Sequence, residues 1–266
     1  MTIQFKHITS AENPQYKQLK KLADSARERR RMGQTLLDGV HLLHALADTG
    51  GLPQLLLVRE GAEGEAEICQ CRARFPQVPA LLLTPKLFDA IAPVETPTGI
   101  VAVLAVTAPE PGDYRCAVLL ENIQDPGNLG SIIRTAAAAG VAALFLSKGC
   151  AEAWSPKALR AGMGAHFTLA IHEQQDLLRA AQRFETVVAT RLDATRSLYD
   201  VDLGGAVAFI FGNEGAGLSA ELSTGATHQV RIPMPGRVES LNVAAAVAVC
   251  LFERVRQTTG QGGYHG

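Results

Sequence analysis

The side chains best suited to chemistry follow three stretches of the sequence that are typical of buried strands. The first segment, residues 121–140, turns at Asp125-Pro126-Gly127, and Asn128 is expected to cap the helix that follows. Arg134 lies six residues beyond Asn128, so a fixed positive charge is expected in the second turn of that helix. Ligands of open parallel sheets bind outside the carboxyl ends of the strands, which makes this turn a candidate site. The alternative is an ordinary turn between a strand and a helix, with a surface arginine.

The second segment places one carboxylate among glycines directly after the apolar stretch 206–211. Gly212, Gly215 and Gly217 surround Glu214, and glycine is favoured where the backbone takes a positive φ or approaches a ligand closely. The spacing is not the dinucleotide-binding pattern G-x-G-x-x-G, and no Gly-Lys-Ser/Thr follows. Hydride transfer and nucleotide hydrolysis are therefore not indicated. The alternative interpretation is a flexible turn.

The third segment is a proline-rich loop that leads into an apolar helix. Pro233 and Pro235 fix φ and remove backbone donors, which makes the loop stiff. A rigid loop with exposed N–H and C=O groups can recognise the edge of a ring such as adenine. Ser240 or Asn242 is expected to begin a helix that is apolar nearly all round for its first ten residues. Such a helix is buried on most sides, either in a core or in a subunit interface.

The elements that position these segments alternate along the second half of the chain. Strands are predicted, with helices between most of them, at 116–121, 142–147, 186–190, 206–211 and 228–232. This alternation predicts an α/β fold with a mostly parallel sheet that is covered on both faces.

A Pro/Gly-rich stretch at 108–113 marks a domain boundary. We therefore expect a smaller N-terminal α/β domain over 1–107, a linker at 108–114, a second domain over 115–258 and a disordered tail at 259–266. The helices and strands predicted in the first domain are a basic helix near 14–31, a helix near 39–48, and strands at 54–58, 80–83 and 100–106.

The net charge of −1 averages over an uneven distribution. Seven cations lie close together against only Asp24 and Glu28: Lys17, Lys20, Lys21, Arg27, Arg29, Arg30 and Arg31. A face of this kind neutralises phosphates and releases counterions, so it predicts sequence-independent affinity for nucleic acid. The alternative is a solvated helix surface.

Composition excludes several classes of protein. With 47% hydrophobic and 19% charged residues the chain is not intrinsically disordered. Its longest apolar run, 243–252, is half of what a membrane-spanning helix needs, and the N-terminus is not a signal peptide, so we expect a cytoplasmic protein without a membrane partner. The five cysteines include Cys69-x-Cys71 but no second Cys/His cluster, so no metal site is predicted.

In this order the three segments resemble the three motifs of the SpoU/TrmH family of RNA ribose 2′-O-methyltransferases, members of the knotted SPOUT superfamily. The matching patterns are Asn-Ile-x-Asp-Pro-x-Asn-x-Gly-x-x-x-Arg-Thr-Ala at 122–136, Phe-Gly-Asn-Glu-Gly-x-Gly-Leu-Ser at 211–219 and Ile-Pro-Met-x-Gly-x-x-x-Ser-Leu-Asn-Val at 232–243. The stretch 155–164 is similar to the family's connecting helix, and 8–17 and 96–102 are similar to a ribosomal-protein-like substrate-binding domain. Ala244 departs from the pattern, because many relatives have serine there.

The resemblance implies a deep trefoil knot that binds S-adenosylmethionine, and a homodimer whose interface lies beside the active site. The cofactor contacts that it implies are Gly212, Ile232, Met234 and Leu241. The catalytic residues that it implies are Asn128, Arg134, Glu214, Ser240 and Asn242. The substrate is expected to be RNA and not DNA, because the target is a ribose 2′-hydroxyl. A separate N-terminal domain favours ribosomal RNA.

Three alternatives stay open on the sequence. A transfer-RNA methyltransferase shares the motifs, although such enzymes usually lack the N-terminal domain. A non-catalytic RNA-binding or ribosome-assembly factor of the same fold has no need for all five catalytic residues. A nicotinamide oxidoreductase requires a Gly-rich turn after its first strand, and this turn has proline and asparagine instead.

Overall fold

The structure, a computed structural model, describes residues 5–92 and 97–259. The chain divides into two compact units: unit 1 comprises Met1–Thr107 and Trp154–Phe167, and unit 2 comprises Ala108–Ala153 and Thr168–Gly266. Residue 96 of the N-terminal resemblance and residues 260–266 of the predicted tail lie outside the described ranges.

The first part of the chain alternates helices with the strands of a five-stranded sheet. Its elements are β1 (Lys6–Ile8), α1 (Pro14–Asp24), α2 (Ala26–Met32), β2 (Gln34–Asp38), α3 (Val40–Asp48), β3 (Leu55–Arg59), α4 (Ala66–Ala73), β4 (Ala80–Leu83), α5 (Pro85–Ile91) and β5 (Ile100–Ala105). The strand order is β1-β4-β3-β5-β2. The first three strands are parallel, and β5 runs antiparallel to both of its neighbours.

Helices cover both faces of this sheet. Neighbouring residues of a strand point to opposite faces, and in β2 Leu36 packs in one buried cluster while Leu37 packs in the other. The Leu36 side also contains residues of α1 and α5, and the Leu37 side contains residues of α3 and α4. The predicted smaller α/β domain therefore has its own two-sided core.

The predicted basic helix near 14–31 is two helices, because Ser25 interrupts it. Ser25 is extended, and its Oγ accepts a hydrogen bond from the backbone N–H of Glu28, which caps α2. Serine competes with the backbone inside a helix and is favoured at an N-cap. The break turns Arg29 inward, where its guanidinium donates to the carbonyls of Leu22 at 2.8 Å and Ala23 at 3.2 Å. Arg29 is only 8% exposed, so its prediction as part of the exposed basic face is wrong.

The second part of the chain supplies a seven-stranded sheet. Its elements are β6 (Cys116–Leu120), α6 (Pro126–Ala138), β7 (Ala143–Leu146), α7 (Pro156–Gly162), β8 (Ala170–His172), α8 (Leu177–Ala181), β9 (Thr186–Thr190), β10 (Arg196–Ser197), β11 (Val207–Phe211), α9 (Ala220–Gly225), β12 (His228–Arg231) and α10 (Val243–Thr259). The strand order is β10-β12-β9-β11-β6-β7-β8, and every described pair is parallel. The predicted parallel α/β sheet is confirmed.

Central strands of this sheet are apolar because they are covered on both sides. All five residues of β6 and all five of β11 are buried. On one face α8 and α9 contribute Leu177 and Leu222 to the core. Elsewhere in unit 2, α10 packs against α6 and β11. No described helix could span a membrane.

The segment Trp154–Phe167 belongs to unit 1 although it lies between β7 and β8 of unit 2 along the chain. Ser155 caps α7 by accepting from the N–H of Ala158, and Pro156 occupies the first helical position. The Oγ1 of Thr35 on β2 donates to the carbonyl of Trp154 at 2.6 Å. Leu159 of α7 is fully buried in the same cluster as Leu37. The stretch was predicted within 115–258, and it packs on the N-terminal sheet.

Candidate active site

The first motif is set by the start of α6. The cap of this helix is Asp125, whose Oδ1 accepts the N–H of Asn128 at 2.8 Å, and Pro126 is its first residue. The prediction that Asn128 is the cap is therefore wrong, because an Asp followed by proline starts the helix three residues earlier. Arg134 accordingly lies in the third turn and not the second. The side chain of Asn128 is free for other contacts.

Three predicted catalytic residues, one from each motif, form a hydrogen-bonded chain. The Asn128 Nδ2 donates to Glu214 Oε1 at 2.6 Å, and the Asn242 Nδ2 donates to Asn128 Oδ1 at 3.0 Å. Both polar ends of Asn128 are thus engaged, which fixes its orientation. The bond to the carboxylate is charge-assisted and therefore the stronger of the two. Asn242 directly precedes α10, and its Oδ1 accepts the N–H of Ala244 at 2.9 Å.

The glycine-rich loop of the second motif is folded around Asn213. Its Oδ1 accepts the N–H groups of Gly215 and Ala216 at 2.9 and 3.0 Å, and its Nδ2 donates to the carbonyl of Asn122 at 3.0 Å. The turn closes where the N–H of Gly217 donates to the Asn213 carbonyl at 2.9 Å. Sequence reasoning did not select Asn213, although asparagine is a known turn former whose side chain bonds to the backbone two residues on. This residue holds Glu214 at the apex of an ordered loop.

Gly212 is required because of space. A Cβ at this position would overlap the backbone carbonyl of Gly217 and the amide nitrogen of Leu218. Only glycine therefore allows the loop to return so close to the end of β11. The result is a tight backbone cradle at the carboxyl edge of the sheet.

A cavity of about 340 Å³ in unit 2 opens beside this cradle. Its walls come from the carboxyl ends of three parallel strands: β9 ends at Thr190, β11 ends at Phe211, and Ile232 follows β12. Six of the predicted site residues line it: Gly212, Glu214, Ile232, Met234, Ser240 and Leu241. All four predicted cofactor contacts thus meet at one cavity whose size is typical of small-molecule sites.

The loop after β9 supplies a wall of this cavity that sequence reasoning missed. Thr190, Arg191, Leu192 and Asp193 line the cavity. The rule that selected the three motifs, polar residues directly after a parallel strand, applies equally here and was the available signal.

Arg191 holds this loop in place with its whole guanidinium group. Its Nε and Nη2 donate to the two carboxylate oxygens of Asp193 at 2.8 and 2.7 Å, and its Nη1 donates to Ser223 Oγ at 2.9 Å. Ser223 is buried. The hydrogen bonds from Arg191 hold the pKa of the Asp193 carboxyl below its usual value. A bidentate pair of this kind fixes geometry as well as charge.

Arg134 is not brought into contact with the other predicted catalytic residues. It is exposed on α6, and it forms no hydrogen bond or ion pair with any residue in 5–92 or 97–259. Ser240 lines the cavity and likewise has no hydrogen-bond partner within the described chain. Both side chains are therefore available to bind other groups.

The predicted RNA-binding cations differ in how free they are. Three hold a neighbouring carboxylate: Lys17 with Glu12, Lys20 with Asp24 and Arg31 with Glu28. Three others are exposed and form no hydrogen bond or ion pair among the described residues: Lys21, Arg27 and Arg30. Among the described residues no group of His, Cys, Asp and Glu could hold a metal ion.

The cavity fits S-adenosylmethionine on its own chemistry. Ile232, Met234 and Leu241 give it apolar walls. The cradle at Gly212 brings backbone groups close to a ligand, and the stiff loop through Pro233 and Pro235 presents others. An apolar slot with backbone donors and acceptors suits an adenine ring.

Family comparison agrees with the geometry. Residues 115–252, about half of the chain, match the model of the SpoU rRNA methylase family. The chain belongs to the SpoU rRNA methylase family. Residues 13–102 of this SpoU methylase also match the MRM3-like substrate-binding domain.

Full-length relatives share both parts of this SpoU methylase. An uncharacterised tRNA/rRNA methyltransferase of Synechocystis is 38% identical, with 97% of this chain and 96% of that protein covered. The 23S rRNA guanosine 2′-O-methyltransferase RlmP of Bacillus subtilis is 32% identical, with 93% and 98% covered. A crystal structure of an AdoMet-bound rRNA methyltransferase from Sinorhizobium meliloti superimposes with a TM-score of 0.81 at 30% identity and covers 95% of this chain and 98% of that one.

Proposed function

We propose that this protein transfers a methyl group from S-adenosylmethionine to a ribose 2′-hydroxyl of ribosomal RNA. The observation that carries the proposal is that the second and third motifs line one cavity, while the Glu214–Asn128–Asn242 chain joins the first motif to both of them. The relatives, which include a 23S rRNA 2′-O-methyltransferase, support the same reaction.

Gly212, Ile232, Met234 and Leu241 would hold the cofactor, which supplies an electrophilic methyl group when bound. In-line displacement requires the hydroxyl to approach that methyl from the side opposite the sulfur. Most of the acceleration therefore comes from positioning. The Arg191–Asp193 pair contributes by fixing one wall of the cavity. The deep trefoil knot that the family resemblance implies stays a prediction.

Arg134 has the central role in stabilising charge. A guanidinium does not readily lose its proton, so Arg134 acts as a cation and not as a base. It binds the phosphate beside the target ribose and lowers the cost of the developing alkoxide. A phosphate oxygen then takes the proton. The free guanidinium on α6 suits this role.

Asn128 and Asn242 position the ribose through hydrogen bonds. Glu214 keeps Asn128 in one orientation by accepting from its Nδ2. Ser240, which has no partner among the described residues, offers a further hydroxyl at the cavity. In this mechanism a phosphate of the substrate removes the proton, and the side chains of the protein orient the ribose.

The exposed cations of α1 and α2 hold the RNA in unit 1. Lys21, Arg27 and Arg30 are the freest of the predicted set, and their charges favour the phosphate backbone. Specificity for RNA over DNA follows from the 2′-hydroxyl itself. We infer that an enzyme with this substrate works where ribosomes are, in the cytoplasm.

A homodimer is the proposed assembly, and α10 offers a surface for it. Val243, Val247 and Cys250 on one side of this helix are buried. Ala245 and Phe252 are exposed on another side, and Phe252 is 49% exposed. Exposed apolar side chains on a helix whose other side packs in the core are typical of a subunit interface. Phe252→Glu should convert a dimer to a monomer in sedimentation analysis, and a wild-type protein that sediments as a monomer contradicts the assembly.

The direct experiment is transfer of labelled methyl from S-adenosylmethionine to total RNA from a strain that lacks the protein. Nuclease mapping then locates the label. Label in one ribose of ribosomal RNA is the expected result. Label in transfer RNA keeps the reaction and overturns the substrate. No label on naked RNA or on ribosomal subunits, with cofactor still bound, contradicts the reaction and favours a non-catalytic RNA-binding factor.

A further inference from the structure

Unit 1 contains a groove of about 550 Å³ between α1 and α5, which we term the lysine groove. Four lysines line it, three from α1 and one from α5: Lys17, Lys20, Lys21 and Lys86. The predicted basic cluster does not include Lys86, which is more than fifty residues away in the sequence. Folding brings this fourth ammonium group to the others.

The floor of the lysine groove is rigid. Tyr16 and Leu87 are both buried, and the Tyr16 hydroxyl donates to the Leu87 carbonyl at 3.1 Å. The Nζ of Lys20 also donates to the Ala90 carbonyl at 2.9 Å. These two bonds tie α1 to α5. The groove is therefore a preformed feature whose ordering costs little when a ligand binds.

The lysine groove carries an excess of positive charge. Lys17, Lys20 and Lys21 have the i, i+3, i+4 spacing that places side chains on one face of a helix. Glu12 and Asp24 offset two of these charges. Lys21 and Lys86 are exposed and form no hydrogen bond or ion pair in the described ranges. A ligand with more than one negative charge matches this arrangement.

The chemistry of the lysine groove favours a phosphate backbone over a base. Lysine is a point charge with three donors and no acceptor, so it cannot read a base edge by both kinds of hydrogen bond. The aromatic ring in the floor, Tyr16, is only 4% exposed and offers no surface for stacking. The groove has the features of a sequence-independent contact.

We propose that the lysine groove binds consecutive backbone phosphates of the RNA substrate, with Lys86 as a contact from α5. The proposal rests on the function proposed above and extends it, since it places an RNA strand across two helices of unit 1. Such a contact anchors the RNA without choosing its sequence, which leaves selection of the target nucleotide to other residues.

The test uses Lys86→Glu in the full-length protein. Lys86 is exposed in the first turn of α5, where a negative side chain is favoured by the helix dipole, so the variant should fold. Lys86→Gln removes the charge without reversing it. Arg179→Glu is the matched control, because Arg179 is exposed in unit 2 and its side chain has no partner among the described residues.

Binding of the protein to fluorescein-labelled poly(U) and to a labelled ribosomal RNA transcript is measured by fluorescence anisotropy. The salt concentration is varied from about 50 to 300 mM, because phosphate contacts weaken over this range. Lys86→Glu should lower the affinity for both RNAs by roughly tenfold at the lowest salt. It should also reduce the steepness of log K, the association constant, against log salt concentration by about 1. Lys86→Gln should show a smaller loss. Cofactor affinity should not change.

Wild-type affinity in Lys86→Glu, or an equal loss in Arg179→Glu, overturns the groove assignment. Loss of binding to the transcript alone also overturns it, because the contact would then read sequence. Retained RNA affinity with lost binding to ribosomal subunits indicates a protein partner instead. Methyl transfer by the wild-type protein separates the two proposals, since it tests the reaction whether or not Lys86 contributes.

Discussion

Replacing Gly212 by alanine is the sharpest test of the cofactor cavity. The added Cβ would overlap the Gly217 carbonyl and the Leu218 amide nitrogen, which are backbone atoms and cannot rotate away. Residues 214–217 are exposed, so the loop is able to move outward to relieve the overlap. We therefore expect the cavity to distort while the unit stays folded.

The size of the effect follows from the cost of overpacking. Forcing a methyl group into a closely packed position costs about 1–3 kcal/mol. If the cofactor requires the closed loop, this strain lowers the binding free energy by the same amount, and the cofactor Kd rises by about 5-fold to 150-fold. The melting temperature of the ligand-free protein should fall by less than about 4 °C, because the exposed loop absorbs the displacement.

Gly215→Ala in the same loop is the matched control. A Cβ there would meet only Asn213 Oδ1 at 3.4 Å, an ordinary contact, and its φ is not positive. S-adenosylmethionine binding to the wild type and both variants is measured by calorimetry. The reasoning fails if Gly212→Ala binds within twofold of the wild type, or if Gly215→Ala loses as much affinity.

Four further predictions follow from single side chains. Arg134→Ala should lower methyl transfer by at least about 100-fold and leave cofactor Kd unchanged, and normal turnover in a purified variant refutes its role. Arg191→Ala frees the cavity wall and should raise cofactor Kd about tenfold with little change in kcat, with partial rescue by lysine. Arg29→Ala removes buried hydrogen bonds to the carbonyls at the end of α1, so the free energy of unfolding, measured by thermal denaturation, should fall by about 1–3 kcal/mol. Burial raises the pKa of the Cys116 thiol to about 11, which keeps the thiol protonated and unreactive at about pH 8. The exposed Cys69 should therefore react with a thiol reagent before Cys116 does, and equal rates of reaction at the two cysteines contradict this.

Most of the parallel sheet could be predicted because its central strands are short apolar stretches between clear turn signals. Those strands need no polar face, since both of their sides are covered. The shorter strand β8 was missed, because three residues carry too little pattern. The helix break at Ser25 was missed because seven cations dominate the stretch around it. A capping serine is a weak local signal against that background.

The site was predictable to the extent that its residues share a motif or follow a strand. Asn128, Glu214 and Asn242 are far apart in the sequence, yet the structure joins them through two hydrogen bonds. The role of Asp125 as the N-cap could have been predicted from the proline that follows it, because proline is favoured at the first position of a helix. By contrast, the bond from Arg191 to Ser223 depends on how α9 packs, and no local pattern encodes it. Tertiary contacts between distant polar residues are what the sequence leaves out.

The placement of α7 limits how modular this enzyme can be. The chain crosses between the units three times, after residues 107, 153 and 167, so neither unit is a continuous piece of sequence. A transplant of residues 1–107 from a relative would bring a new β2 against the old α7, where Thr35 and Leu159 must still find their partners. Deletion of the same residues would leave the buried side of α7 uncovered. Exchange of unit 1 between relatives therefore requires that α7 be exchanged together with residues 1–107. The sequences of these two regions are expected to change together as the family diverges.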